Sequence, residues 1–150
     1  MSNRKKQIIV VVLAVSILIA KNTEPQRYLR VESKSIVIDR KLGLTWEDDL
    51  AAKSRVEDWD GAKKYCQNLT LAGKDDWRLP NYNELIGIVN YKKQIPVINP
   101  AFKNLSPTYY WSSEKVHSSN NLAWAISLKY GNSHYFPQTR GDSVRCVSGG

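Results

Sequence analysis

The residues of this 150-residue chain that could do chemistry are few: two cysteines, two histidines, a serine pair and a run of acids. Cys66 and Cys146 could be thiols or a disulfide. His117 and His134 form no helical pair of the kind that grips zinc. Ser112 and Ser113 lack the flanking glycines of a nucleophile elbow. Asp48, Asp49, Asp58 and Asp60 offer hard oxygens suited to Ca²⁺, but their spacing matches no EF-hand loop. A solvated acidic face is the simpler reading of these four. The expectation is therefore a chain that is not an enzyme and needs no cofactor, with calcium possible but carried by no motif.

The N-terminus narrows the setting. Arg4, Lys5 and Lys6 precede Ile8–Ala20, 13 residues in which only Ser16 is polar. A basic start before an apolar run of this length is the pattern of a secretory signal. It is short for a membrane span, which needs about 20 apolar residues. Residues 1–20 are expected to be a signal peptide, with an uncleaved N-terminal membrane anchor as the alternative. Ala20 suits a cut, although Leu18 is bulky where a small residue is preferred. No cysteine follows the run, so a lipidated leader is not expected. The chain is placed in the periplasm, at the cell surface or outside the cell. Export favours one disulfide between the two cysteines, closing a loop of about 80 residues worth about 4–5 kcal/mol in the chain-entropy account. Two free buried thiols are the other possibility.

Charge is uneven. Without residues 1–20 the formal charge falls from +8 to +5. Residues 21–84 hold 12 bases and 12 acids, whereas residues 85–150 hold seven bases and only Glu114 and Asp142 as acids. A basic half can attract a polyanion, or can serve solubility alone. For an exported chain of this modest charge, nucleic acid is not an expected partner.

Elements that would position these groups follow from periodicity. Residues 21–35 read as a polar linker and a first strand, Tyr28–Val31, and residues 36–150 as one domain. Ile36–Ile38 and Leu44–Trp46 read as strands joined through Gly43, which is free to take a positive φ. Glu47–Ser54 reads as acidic and irregular. Trp59, Ala62, Cys66 and Leu69 share one helical face, with Asp58 able to cap its start and Gly73 closing the stretch. Asn81 and Glu84 have capping-box spacing before a second helix that buries Leu85, Ile88 and Val89. Residues 91–108, with three prolines, form a long loop pinned by Ile98 and Phe102. Strands follow at Tyr109–Ser112, Leu122–Leu128, His134–Phe136 and Val144–Val147. In Leu122–Leu128 the alternation sets Leu122, Trp124, Ile126 and Leu128 opposite Ala123, Ala125 and Ser127. Strands, two helices, then strands is an α+β order.

A set of motifs in sequence order carries a resemblance. These are Val37-Ile38-Asp39 with Gly43-Leu44-Thr45-Trp46; Trp59 and Ala62 through Cys66 and Leu69; Leu71-Ala72-Gly73 then Asp76-Trp77-Arg78-Leu79-Pro80; Asn83-Glu84-Leu85; Pro100 and Phe102; Tyr110-Trp111-Ser112-Ser113; and Val144-Arg145-Cys146-Val147. Together, over residues 37–147, the chain resembles the Lcl C-terminal domain family, named for a collagen-like bacterial adhesin. The resemblance implies a C-type-lectin-like α+β fold: two helices on antiparallel sheets, terminal strands side by side, and a disulfide from the first helix to the last strand. Cys66 and Cys146 match that placement. The Glu-Pro-Asn and Gln-Pro-Asp sugar signatures of true C-type lectins are missing, as are the collagen-like repeats of the namesake. Trp46, Trp59, Trp77 and Trp111 are expected as buried anchors. Arg78 is expected to pair with Glu84, fixing its loop to the second helix.

Such folds carry ligands on the long loops between their later strands. Here these are Glu114–Asn121 and Lys129–Arg140, holding Lys115, His117, Asn120, Asn121, Lys129, Tyr130, Asn132, His134, Tyr135 and Arg140. Cations meet anionic groups and rings pack on sugar faces, so the set suits acidic or sulfated glycans; ordinary polar loop composition is the plain alternative. Three functions compete: an adhesin-like module for a polyanionic glycan, a protein-recognition module varied at its C-terminal end, and an envelope subunit that self-associates. An oligomer is possible, and membrane contact is expected only through residues 1–20.

Overall fold

The computed structural model describes residues 26–150. The signal or anchor reading of residues 1–20 lies outside the described residues, as does most of the linker. The described chain is α+β, with two five-stranded sheets.

The first sheet runs β1 (Tyr28–Val31), β2 (Ile36–Asp39), β3 (Leu44–Glu47), β10 (Val147–Ser148) and β5 (Trp77–Arg78), all antiparallel. The β2–β3 turn is set by Asp39, whose Oδ1 accepts the Lys41 and Leu42 N–H groups, and by Gly43 at φ +69°. The C-terminal strand lies beside β3 rather than β1, because the β1–β2 hairpin occupies the outer edge.

The second sheet runs β4 (Val56–Glu57), β9 (Asp142–Ser143), β6 (Tyr109–Lys115), β7 (Leu122–Ser127) and β8 (Ser133–Pro137). Its ladders are antiparallel except the β6–β9 bridge at Tyr110 and Ser143.

Three α-helices connect the sheets. Residues 47–54 are not irregular throughout: α1 (Leu50–Ser54) forms because the Asp49 carboxylate accepts the Ala51 and Ala52 N–H groups and two alanines follow. Asp58 caps α2 (Trp59–Asn68), which buries Trp59, Ala62 and Cys66. That helix ends at Asn68, before Gly73; Leu71 and Lys74 then bridge a separate turn holding Ala72 at φ +57° and Gly73 at φ +76°. Asn81 and Glu84 form the full capping box of α3 (Tyr82–Gly87).

Both faces of the second sheet are packed at its centre, on β6 and β7. Tyr110, Ile126 and Leu128 pack with Leu85, Trp46, Val37 and Phe102 in one cluster. Trp111, Ala123 and Ala125 pack with Trp59, Ala62, Cys66 and Val144 in the other. The small residues of β7 therefore face a core as well, their size admitting the bulk of Trp59 and Trp111. The C-terminal segment is not one strand. It leaves the second sheet at Ser143, crosses through Val144–Cys146 and enters the first sheet at Val147.

Candidate functional site

A binding surface needs a fixed base, and the base here is polar as well as apolar. Cys66 of α2 is bonded to Cys146, whose Cα lies 5.5 Å away. Cys66 thus sits on the second helix in sequence, and Cys146 sits one residue ahead of β10. Cys146 stands outside a strand because its N–H goes to the Glu47 Oε2 carboxylate at 2.9 Å instead of a ladder. Burial pushes the Glu47 carboxyl up, against the hydrogen bonds from Tyr65 and the Cys146 amide.

Arg145, beside this cysteine, is fully buried. Its Nη1 donates to Asp48 Oδ1 at 2.7 Å and to the Glu47 carbonyl at 2.6 Å, and Nη2 donates to the Asn104 carbonyl. Asp48 also pairs with Arg30 and accepts the Lys103 N–H at 2.9 Å. One buried carboxylate thus joins β1, the segment before α1, the long loop and the C-terminal crossing. Burial works against the charge of Arg145, but the facing Tyr110 and Asp48 outweigh it and raise its pKa.

The four tryptophans of the motifs are all buried, between 0% and 4% exposed. Three also tie segments together: Trp59 Nε1 donates to the Ser112 carbonyl at 2.8 Å, Trp111 Nε1 to the Glu57 carbonyl at 3.0 Å and Trp77 Nε1 to the Lys74 carbonyl at 3.1 Å. Arg78 holds Glu84 through two hydrogen bonds of 2.8 and 2.7 Å and reaches the Gly149 carbonyl at 2.9 Å. The pair joins β5, α3 and the C-terminus. Burial would raise the Glu84 pKa, but the Arg78 and Asn81 hydrogen bonds bring it below the ordinary value.

The four acids do not form one solvated face. Asp48 is buried in the Arg145 network, Asp49 and Asp58 cap helices, and Asp60 pairs with Lys63 at 2.8 Å. Among the described residues no group of three or more His, Cys, Asp or Glu side chains converges as a metal site would require.

The ten candidate ligand residues divide between two ends of the second sheet. Lys115 pairs with Ala123, and Ala123 with Phe136, so these three share one rung. Lys115 Nζ lies 5.3 Å from the Trp59 ring and the Arg140 guanidinium 3.6 Å from the Phe136 ring, which brings both cations to one side of that rung. His117, Asn120 and Asn121 lie in the adjoining β6–β7 loop, exposed. Asn121 also lines a pocket of about 540 Å³ with Asp58, Asp60 and Gln138. Lys129, Tyr130 and Asn132 lie in the β7–β8 turn, the length of a six-residue strand away, about 20 Å. On β8, His134 stacks on Phe136 at 4.8 Å and Tyr135 meets Trp124 at 5.3 Å, on opposite faces.

Two features escaped the sequence. Trp124, assigned to the apolar side of β7, is half-buried between Tyr82 and Tyr135, so three rings form a strip at the β8 edge; the missing signal was that β8 is an edge strand. Asp142 is the other: it is buried without a hydrogen bond, and burial raises its pKa to about 6 despite Arg140 at 3.2 Å. A lone acid in a basic stretch was its only mark.

Among the described residues no helix is long and apolar enough to cross a membrane. Comparison with curated proteins finds no match. The Lcl C-terminal domain model matches residues 35–148, most of the chain, and the protein belongs to that family.

Proposed function

We propose that the protein is an exported, non-enzymatic, adhesin-like domain of C-type-lectin-like fold that holds acidic or sulfated glycans at the end of its second sheet that carries Lys115 and Arg140. The observation that carries this reading is the sign of the exposed charge in residues 85–150. Of the two acids there Asp142 is buried, leaving Glu114; of the seven bases only Arg145 is buried, leaving six. These residues thus expose six cations against one acid, and although Lys103 is paired with Glu32, the excess that remains draws polyanions. The fold assignment is supported by the family membership, by the bridge from α2 to the C-terminal crossing and by long segments between the later strands.

Retention of residues 21–150 on immobilised heparin across a salt gradient tests this, beside a variant with Lys115, Lys129 and Arg140 neutralised. Retention above physiological salt, lost in the variant, supports glycan binding. A folded protein in the void volume removes it. The Tyr82–Trp124–Tyr135 strip favours a second reading, recognition of a protein at the β8 edge, for which binding would depend weakly on salt.

A further inference from the structure

The long loop before β6 carries a tip that lies outside the ligand set. From Tyr91 to Pro96 every residue is exposed, with Tyr91 at 67% and Ile95 at 60%. Single exposed apolar side chains need no explanation. Here a ring and an aliphatic side chain flank Lys92 and Lys93 on one loop. The base of that loop is fixed. The Asn90 N–H donates to the Val97 carbonyl at 2.6 Å, Tyr91 Oη donates to the Gly131 carbonyl at 2.6 Å, and Val97 and Ile98 are buried.

The tip shares its side of the molecule with the point where the chain enters the domain. Lys93 lines a groove of about 590 Å³ with Gln26, Arg27 and Leu29, and Lys92 lines an adjoining one with Arg27 and Tyr28. Arg27 is paired with Asp39, and Lys103 in the same groove with Glu32. Among the described residues Lys92 and Lys93 have no acidic partner.

We propose that this face is a membrane contact: Lys92 and Lys93 meet anionic phospholipid headgroups while Tyr91 and Ile95 enter the interfacial layer. Two arguments select a bilayer. The first is reach. Only residues 21–25 separate the apolar run ending at Ala20 from Gln26, no more than about 20 Å of chain. In the anchored form of residues 1–20, on which the proposal rests, Gln26 and the groove it shares with Lys93 stay within about 20 Å of the hydrocarbon, close enough for the tip to reach the headgroups. The second is chemistry. Lysines beside a tyrosine and an aliphatic tip form the interfacial pattern, in which rings sit at the headgroup level and cations meet the anionic surface. Two lysines bind such a surface weakly, so the contact orients a tethered domain rather than recruiting a free one.

The orientation has a use. Tyr91 abuts Gly131, so the tip lies at the β7–β8 turn, and Lys115 and Arg140 sit at the far end of those strands, directed away from the bilayer.

The test is hydrogen exchange on the full chain in vesicles of phosphatidylcholine alone and of phosphatidylcholine with phosphatidylglycerol. The amides from Tyr91 to Ile95 are expected to exchange several-fold more slowly in the anionic vesicles, and the K92E/K93E variant to lose that difference. Equal exchange in the two vesicles, or protection that survives charge reversal, overturns the proposal. If the variant instead loses retention on heparin while the vesicles make no difference, the lysines read soluble polyanions and the membrane contact falls. Failure of the wild-type chain to bind heparin leaves the vesicle result untouched, so the two readings fail separately.

Discussion

Arg145 and Asp48 meet at 2.7 Å with neither side chain exposed to solvent. Removing Arg145 leaves the buried Asp48 paired with Arg30, so the cost should fall towards the lower end of the about 3–5 kcal/mol typical of a broken buried pair, still a large part of the stability of a small domain. Arg145→Met is therefore expected to lower the urea midpoint by that equivalent. A loss below about 1 kcal/mol would show that the network is not holding the C-terminal crossing.

The Arg78–Glu84 pair is partly open to water, with 39% and 13% of the two side chains exposed. Solvent screens it, so Arg78→Ala should cost about 1 kcal/mol. Glu84→Ala should cost more. Its Oε2 also accepts the Asn81 N–H at 2.8 Å, so the substitution removes half of the capping box together with the ion pair. Thermal unfolding of the two variants checks the order; equal losses would count against the double role.

Much of this framework was legible because it is local. The helical face of Trp59, Ala62 and Cys66, the Asn81 and Glu84 capping box, and the turn at Gly43 all follow from spacing over a few residues, and each is present. What was not legible depends on distant partners. Arg145 stood in a motif, but nothing near it in sequence announces a carboxylate 97 residues away. The segment Val144–Val147 has strand composition, yet the Cys146 amide serves a side chain and only Val147 joins a sheet. The ligand set was chosen as two loops, and antiparallel strands necessarily place successive loops at opposite ends. Lys129 therefore lies apart from Lys115 and Arg140.

Asp142 gives a pH dependence. Its carboxyl titrates near 6 in the folded protein, above the ordinary 3.8, because burial disfavours the charged form. Between those values the folded state holds more protons than the unfolded state, so this group's contribution to stability declines as pH rises from about 4 to about 6. Asp142→Asn removes the penalty. The variant is expected to be more stable than the parent above pH 6, by up to about 3 kcal/mol, with the difference vanishing as pH falls towards 4. Urea unfolding across that range checks it; a gain that is constant with pH would mean that the carboxylate stays charged.

The division of the cations makes the glycan reading sharper than a count of charges. Lys115 lies on the same rung of the sheet as Phe136, on whose ring Arg140 stacks, so these two cations share one end of the sheet, whereas Lys129 is about 20 Å off. Arg140 is partly neutralised by Asp142, so Lys115 should dominate that end. A short sulfated oligosaccharide is expected to lose several-fold in affinity with Lys115→Ala and little with Lys129→Ala. A long heparin chain can span both ends, and should feel both substitutions. Titration of each variant with the short and the long ligand separates the cases. If the two substitutions act equally on the short ligand, binding follows net charge and no localised site exists; if neither acts on either ligand, the polyanion reading gives way to recognition at the β8 edge.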